Sequence, residues 1–232
     1  MPPLDILAFG AHPDDVEIGA GAFLVKMKSL GYRTGILTLT EGDMGAGSPE
    51  IRRREAARAA EGLKVDAFEL LDLGDTRLED SFENRRIVAS CIRRYRPSLV
   101  LAPYFGLEPG RGRGHADHIV CGHLVTHGTN FAHLEKFPAE GKAHAVKKVL
   151  YYFLAPFEKP SFIVPVDAEF PQALEALRAH SSQIERPGKY QALPDRLEAV
   201  ARYFGGMVGA TYGQAFYLPD VLRVDDPLTL LS

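Results

Sequence analysis

Short apolar runs alternate with segments of helical periodicity along residues 1–155, and this alternation limits the fold more than any other feature of the sequence. Leu4 to Phe9 is an apolar run that ends at Gly10, and Val16 to Leu30 carries apolar residues at helical spacing until Gly31. The unit recurs, with strands predicted at 34–40, 67–71, 99–102 and 149–154 and helices at 49–63, at 83–95 and from about 117. Strands that alternate with helices predict an α/β fold with a Rossmann-like, doubly wound and mostly parallel sheet.

The pattern changes after Pro160. A strand is predicted at 162–166 and helices near 169–182 and 195–204, and the tail beyond them contains several prolines and is predicted to be irregular. A chain of 232 residues is long enough to bury a single core of this kind. We therefore expect one domain over residues 1–232, with a core at 1–155 and a C-terminal α/β cap at 156–232.

The charge balance excludes one large class of partners. The chain has 27 Lys and Arg against 30 Asp and Glu, and its net charge of −3 provides no positive field for a nucleic-acid backbone. The basic run from Arg52 to Arg54 lies in a predicted helix that also carries Glu50, Glu55 and Glu61, which is typical of a solvated helix face. No nucleic-acid partner is expected.

Neither the cysteines nor the apolar segments indicate export or membrane insertion. Cys91 and Cys121 lack the spacing of a disulfide framework or of a thiolate zinc site, so both are predicted to be buried and free. Residues 1–9 have no basic start, are interrupted by Asp5 and are too short for a signal peptide or a membrane span. We expect a cytoplasmic location and no membrane partner.

Two clusters of histidine and aspartate follow two of the predicted strands. His12, Pro13, Asp14 and Asp15 come directly after the first strand, and the run from His115 to His118 follows the fourth strand through a glycine-rich loop. In doubly wound sheets these two strands are neighbours at the point where the strand order reverses, and ligands bind at their carboxyl ends. The sequence therefore predicts that the two clusters meet.

The residue types in the two clusters favour a zinc site. Catalytic zinc takes three ligands from imidazole and carboxylate groups and keeps a fourth position for water. His12 and Asp15 are three residues apart on a turn that leads into a helix, so both can reach one ion. Asp14 points in a different direction and remains available as a base.

Other interpretations stay open at this point. Asp14 and Asp15 could simply cap a helix, where carboxylates are favoured by the helix dipole. A Rossmann-like nucleotide-binding protein is a second alternative, although Gly19-x-Gly21 is only part of the glycine fingerprint that such proteins need. A catalytically silent zinc-binding protein is a third.

Both clusters resemble the signature motifs of the LmbE-like, or PIG-L-like, zinc-dependent N-deacetylase family. The motifs are the run from Ala11 to Glu17 and the run from His115 to His118. Similarity continues, in the same order, through residues 38–45, 52–56, 102–104 and 212–213. The resemblance covers most of the chain to about residue 120 and is patchier afterwards.

The resemblance implies a role for each of eight residues. His12, Asp15 and His118 would bind zinc, although iron or cobalt also suits such a ligand set. Asp14 would be the general base, and protonated His115, oriented by Asp117, would stabilise the tetrahedral intermediate. Substrate contacts are implied for Arg52 and for His180, which lies in the family-like segment 179–183.

The departures from the family pattern concern substrate identity more than zinc chemistry. Ala116 replaces the usual proline, Arg113-Gly114 replaces an acidic position, Gln214 replaces a glutamate and Gly74-Asp75-Thr76 replaces Pro-Asp-Gly. The motif form resembles the bacterial branch that acts in bacillithiol synthesis and on N-acetylglucosamine. We expect a small N-acetylated amino sugar as substrate, with N-acetylglucosaminyl malate as one candidate, and a homo-oligomer.

Overall fold

A five-stranded parallel sheet forms the centre of the molecule. The computed structural model describes residues 2–106, 115–156, 158–185 and 192–226. Within them the strand order is β3-β2-β1-β4-β5, which confirms the predicted doubly wound α/β class. The strands are β1 (Ile6–Gly10), β2 (Thr34–Thr38), β3 (Ala67–Leu70), β4 (Leu99–Pro103) and β5 (Lys148–Tyr152).

Helices connect the strands close to the predicted positions. Ser48 caps the second helix by accepting a hydrogen bond from the Ile51 N–H, and Pro49 occupies the first turn, where its missing N–H costs nothing. The four helices are α1 (Asp15–Ser29), α2 (Pro49–Leu63), α3 (Phe82–Tyr95) and α4 (Ala116–Ala132).

Side chains of β1 alternate between two apolar cores. Ile6 and Ala8 pack in the core that contains α1 and the cap, whereas Leu7 and Phe9 pack in the core that contains α3 and α4. Successive residues of a strand point to opposite faces of its sheet. Since helices cover both faces, the central strands are mostly apolar, which is the pattern that revealed them in the sequence.

The order of the strands places the functional residues. β1 pairs in parallel with β2 on one side and with β4 on the other. The loops that follow β1 and β4 therefore leave the sheet side by side, at the crevice where doubly wound folds bind ligands. Both histidine and aspartate clusters lie where the chain enters α1 and α4 after these strands.

The cap closes one face of the sheet and adds a small sheet of its own. β6 (Phe162–Pro165) pairs antiparallel with β7 (Gly213–Phe216), and α5 (Phe170–Arg178) packs against α1 and α2. Tyr151 of β5 exchanges two backbone hydrogen bonds of 2.9 Å with Tyr217, which joins the cap to the main sheet. The remaining elements are α6 (Ser181–Ile184) and α7 (Leu193–Met207).

Two sequence predictions for the cap are wrong. The helix predicted at 169–182 is divided into α5 and α6, because Ser181 and Ser182 donate hydrogen bonds to Glu55 of α2 and begin a new turn there. The tail predicted to be irregular contains β7. β7 pairs with β6, which lies about fifty residues earlier in the chain, so local periodicity does not reveal the pairing.

The prediction for the two cysteines agrees with the structure. Cys91 and Cys121 are buried and free, as predicted. Among the described residues, no helix combines the length and the apolar character needed to cross a bilayer. Arg113 and Gly114, in the glycine- and arginine-rich loop, lie outside the described residues.

Candidate active site

The two polar clusters meet at the carboxyl edge of the sheet, as the strand order predicted. Asp15 Oδ1 lies 3.0 Å from His118 Nε2, and Asp15 Oδ2 lies 3.6 Å from His12 Nδ1. The two imidazole nitrogens, His12 Nδ1 and His118 Nε2, are 3.4 Å apart. Three potential ligand atoms from the ends of two neighbouring strands therefore face one point.

The donor set and its spacing fit a catalytic metal ion. Tetrahedral zinc with bonds near 2 Å places neighbouring ligand atoms roughly 3.3 Å apart. The three separations here lie between 3.0 and 3.6 Å. Two imidazoles and one carboxylate leave one tetrahedral position open, as catalytic zinc requires. A second grouping that could hold a cation, formed with Asp75 and His115, shares His12 with the first.

His12 is oriented by carboxylates on its far side. Its Nε2 lies 3.2 Å from Asp75 Oδ1 and 3.3 Å from Asp117 Oδ2, while its Nδ1 faces Asp15 and His118. Carboxylates that hold the second nitrogen of a ligating histidine fix its tautomer and the direction of its lone pair. Asp75 was missed as a site residue by sequence reasoning. It could have been recognised from its position after β3, because the loops that follow parallel strands lie at the same edge of the sheet.

The charges around His12 and Asp15 are strongly coupled. Burial alone would lower the pKa of His12, but the hydrogen bond and charge of Asp15, followed by the charges of Asp75 and Asp14, raise it to about 9. Burial would raise the pKa of Asp15, but His118 and His12 hold it well below its usual range. The negative charge of these carboxylates stabilises positive charge at the site. A metal ion would therefore compete with the proton on His12.

Asp14 occupies the N-cap position of α1 without acting as a cap. Its side chain makes no capping hydrogen bond, which contradicts the interpretation of Asp14 as a simple capping residue. Its backbone has φ 118°, a conformation that non-glycine residues rarely adopt and that tends to occur at functional sites. Burial, followed by the charge of Asp15, raises the pKa of Asp14 to about 6. The half-buried carboxylate lines the pocket beside His12, Asp15 and His118.

Arg52 lines the same pocket from α2. The side chain is 3% exposed, and its Nη2 donates a hydrogen bond of 2.8 Å to the Pro13 carbonyl. Its Nε and Nη1 have no hydrogen-bond partner among the described residues. Buried donors without partners are costly, so these two groups are suited to bind an oxygen of a ligand. Gly42 allows this arrangement, since a Cβ there would lie 2.7 Å from Arg52 Nη2.

His115 and Asp117 are arranged differently from the expectation. His115 caps α4, and its Nδ1 accepts a hydrogen bond from the Asp117 N–H. The Asp117 carboxylate lies 3.8 Å from that nitrogen but accepts a hydrogen bond from the Thr76 N–H and lies closer to His12. Burial, followed by the charge at His12, lowers the pKa of His115, which favours a neutral ring with its proton on Nε2. The expected protonated His115 paired with the Asp117 carboxylate is therefore not what the geometry favours.

His180 does not reach the pocket in this structure. Its side chain has 0% exposure and lies with Nε2 3.4 Å from Glu17 Oε1, so direct contact with substrate is excluded in this conformation. Gln183, one turn further along the same segment, lines the pocket instead. Its Nε2 donates to the Ala46 carbonyl and thereby ties α6 to the loop after β2.

Comparison with known proteins identifies the family. A model of the PIG-L family, described as GlcNAc-PI de-N-acetylase, matches residues 7–128, which is more than half of the chain. The chain belongs to the PIG-L family. The matched region includes both histidine and aspartate clusters and Arg52.

Individual relatives agree with the PIG-L assignment. Diacetylchitobiose deacetylase of Thermococcus kodakarensis is 30% identical over 230 residues, which span 93% of this chain and 84% of that protein. A probable N-acetyl-alpha-D-glucosaminyl L-malate deacetylase of Bacillus anthracis is 28% identical over 193 residues, 77% of this chain and 80% of that protein. The conserved protein TT1542 from Thermus thermophilus superposes with a TM-score of 0.85 at 36% identity, covering 95% of this chain and 97% of the other. The protein is thus a deacetylase, a hydrolase of amide bonds.

The pocket of this PIG-L deacetylase has a volume of about 330 Å³, at the lower end of the range for small-molecule sites. Its lining combines the candidate metal ligands with residues of the loop after β2 and of α6. The lining includes His12, Asp14, Asp15, Gly42, Met44, Arg52, Asp75, His115, His118 and Gln183. A pocket of this size and polarity suits one sugar unit.

Proposed function

We propose that this protein hydrolyses the N-acetyl group of an N-acetylglucosamine derivative with the help of zinc, releasing acetate and the free amino sugar. The observation that carries the proposal is the convergence of His12, Asp15 and His118 beside the Asp14 carboxylate, which faces the pocket and caps no helix. His12, Asp15 and His118 would hold the zinc ion. When bound, such an ion polarises the acetyl carbonyl and lowers the pKa of water towards about 7.

Asp14 is placed to act as the general base. The attacking water forms a bond to the acetyl carbon and gives a proton to the Asp14 carboxylate, and the C–N bond breaks as that proton passes to the amine. A pKa of about 6 keeps Asp14 mostly ionised near neutral pH and leaves it able to return the proton.

His115 and Arg52 supply hydrogen-bond donors to the substrate. Because His115 Nδ1 accepts a hydrogen bond from the helix, the neutral ring presents its Nε2–H to the oxygen that becomes negatively charged. Arg52 offers Nε and Nη1 to hydroxyl or carboxylate oxygens of the sugar or its substituent. Asp117 and Asp75 hold His12 in position.

The substrate class follows from the pocket and from the relatives. The two named relatives described above are a diacetylchitobiose deacetylase and a probable N-acetyl-alpha-D-glucosaminyl L-malate deacetylase. Diacetylchitobiose and N-acetylglucosaminyl malate are therefore the two leading candidates. A carboxylate of the malate group would accept hydrogen bonds from Arg52 Nε and Nη1, which have no partner among the described residues.

The alternative of a nucleotide-binding protein has less support. A dinucleotide would need its pyrophosphate at the start of α1, where Asp14 and Asp15 place negative charge. The other alternative, a zinc-binding protein without catalytic activity, would bind the metal in the same way and differ from an enzyme only by releasing no acetate. The decisive experiment must therefore measure metal and product together.

The test is a deacetylation assay with zinc-loaded protein against N-acetylglucosamine, diacetylchitobiose and N-acetylglucosaminyl malate, with acetate release as the readout. We expect turnover of at least one conjugate and about one zinc ion per chain. His118→Ala should lose both, whereas His133→Ala, on an exposed residue at the end of α4, should lose neither. Stoichiometric zinc without acetate release from any substrate would contradict the proposed function.

A further inference from the structure

Met44 exposes a large apolar side chain at the pocket of the candidate active site. It lies in the loop between β2 and α2 and lines the same pocket as Asp14 and Arg52. Met44 is 68% exposed, and among the described large apolar residues only Val221, near the C-terminus, is more exposed. The chemistry proposed above gives Met44 no role.

The backbone around Met44 is held in place on both sides. The Met44 N–H donates a hydrogen bond of 2.9 Å to Asp75 Oδ2, and the other oxygen of that carboxylate lies 3.2 Å from His12 Nε2. Two residues further on, the Ala46 carbonyl accepts a hydrogen bond of 2.6 Å from Gln183 Nε2. Because one carboxylate contacts both Met44 and the candidate metal ligand His12, the side chain of Met44 starts from a defined position relative to the reacting atoms.

The pocket offers little other accessible apolar surface. Phe, Tyr and Trp are absent from its described lining residues. Ile18 and Leu193 also line it, but both are half-buried, whereas Met44 is exposed. Met44 is therefore the most accessible apolar side chain among the described residues of the pocket.

A pyranose ring needs both polar and apolar contacts. Its hydroxyl groups project from the edge of the ring, where donors such as Nε and Nη1 of Arg52 can bind them. Its C–H groups form an apolar patch on the face of the ring, and the removal of this patch from water is favourable when it meets another apolar surface. A methionine side chain is unbranched and polarisable, so it adapts to an irregular surface of this kind.

We propose that Met44 is a substrate-binding residue that packs against the C–H face of the amino-sugar ring. The polar groups of the pocket bind the hydroxyl groups and the acetamide, and Met44 supplies the apolar contact that they lack. This inference rests on the proposed function, because that function places the sugar in the pocket lined by Asp14 and Arg52.

The first experiment observes this contact directly and needs no turnover. The chain has four methionines, so protein labelled with carbon-13 at the methionine methyl groups gives a simple spectrum, and Met44→Leu identifies the Met44 signal. Glucosamine is titrated into the zinc-loaded protein. We expect the Met44 signal to shift to saturation, while the signal of Met207, 56% exposed at the end of α7, stays in place. An unmoved Met44 signal, or equal shifts of both signals, would overturn the proposal.

The second experiment measures what the contact contributes to catalysis. Met44→Ala should lower kcat/KM about threefold to tenfold, mainly through a higher KM, because part of the methionine surface is no longer covered by the sugar. Met44→Leu keeps the apolar volume and should stay within about twofold of the wild type. Met207→Ala is the matched control and should change neither parameter. Wild-type kcat/KM in Met44→Ala would overturn the proposal.

Zinc affinity separates an apolar contact from a disturbed loop. All these variants keep the Met44 N–H that binds Asp75, so competition with a chelator should give the wild-type zinc affinity. If Met44→Leu lost as much kcat/KM as Met44→Ala, or if zinc binding weakened in parallel, the loop conformation would be the cause and the proposal would be wrong.

A change of acyl group distinguishes the ring from the acetyl methyl as the partner of Met44. The N-formyl form of a hydrolysed conjugate lacks that methyl group. Met44→Ala should lose the same factor in kcat/KM with the N-formyl and the N-acetyl form, and a loss confined to the N-acetyl form would overturn the assignment to the ring. If no conjugate is hydrolysed, the proposed function fails, while the glucosamine titration still decides whether Met44 contacts a sugar.

Discussion

At the residue scale, Asp14 and Asp15 show how two adjacent carboxylates are placed for different roles. Asp15 faces two histidines, which hold its pKa well below its usual range and keep it charged. Asp14 faces the pocket, and burial together with the charge of Asp15 raises its pKa to about 6. The difference in pKa follows from the neighbours: His118 and His12 stabilise the charged form of Asp15, whereas the charge of Asp15 disfavours that of Asp14.

Substitution of each carboxylate by its amide separates binding from chemistry. Asp14→Asn should keep its zinc and its fold, because asparagine tolerates positive φ well. Its turnover should fall about 10²–10⁴-fold, which is the usual contribution of a general base. Asp15→Asn should lose metal as well as turnover. Metal content and kcat measured on the two variants side by side would decide, and near-normal turnover of Asp14→Asn would refute its role as the base.

Asp75 gives a second prediction at this scale. Asp75→Asn removes the charge that faces His12 Nε2, so metal affinity should fall about 10–100-fold, as when outer carboxylates of histidine ligands are removed elsewhere. Competition with a chelator of known zinc affinity measures the change. Asp72→Asn, on an exposed neighbour in the same loop, serves as the control. Equal affinities in the two variants would show that Asp75 does not support His12.

At the scale of elements, α6 is positioned by one buried carboxylate of α2. Glu55 is 4% exposed and accepts hydrogen bonds from the Ser181 hydroxyl and from the Ser182 N–H and hydroxyl. Gln183, on the same short helix, lines the pocket. The contact between α2 and α6 therefore connects the packing of the cap to the shape of the site.

Removing this carboxylate should weaken both stability and substrate binding. Glu55→Ala leaves the partly buried donors of Ser181 and Ser182 without this acceptor, so the free energy of unfolding should fall by about 1–3 kcal/mol. The KM should rise because α6, which carries the pocket residue Gln183, loses its hydrogen bonds to α2. Urea unfolding and steady-state kinetics of zinc-loaded protein measure the two effects. Glu61→Ala, exposed on the same helix, should change stability by less than about 0.5 kcal/mol. A stable Glu55→Ala protein with unchanged KM would speak against this anchor.

At the scale of the whole molecule, the core and the cap share one apolar cluster. Phe216 of β7 has 0% exposure and packs against Phe23 of α1, with ring centroids 4.9 Å apart. Val166 and Phe170 of the cap belong to the same cluster as Ile6 and Ala8 of the sheet. Neither part can bury its apolar surface alone, so we expect residues 1–155 and the cap to unfold together.

Phe216→Ala tests this coupling. Loss of a buried phenylalanine typically lowers the free energy of unfolding by about 3–5 kcal/mol. The variant should still show one cooperative transition by near-ultraviolet and far-ultraviolet circular dichroism. Val221→Ala, at a residue with 95% exposure, should change stability by less than about 0.5 kcal/mol. Two separate transitions in the wild type or in Phe216→Ala would show that the cap is an independent unit.

The sequence by itself determined the core of the fold and predicted that the two histidine and aspartate clusters lie at one edge of the sheet. Apolar periodicity, Ser48-Pro49 and the glycines that end helices are local signals, because they reflect backbone geometry within a few residues. One general rule about strand order was enough to predict that the clusters at His12 and His118 meet. The resemblance of both motifs to one family then implied different roles for two neighbours, with Asp14 as the general base and Asp15 as a metal ligand.

Only the tertiary structure decided which groups contact these residues. β7, the division between α5 and α6, the support of His12 by Asp75 and the burial of His180 all depend on partners far away in the chain. In the sequence, Asp75 cannot be distinguished from any other carboxylate in a loop. Its contact with His12 exists only because the strands lie side by side in the sheet. The physical reason is that burial, pairing and pKa depend on distances between atoms, and those distances are set when the two faces of the sheet are covered.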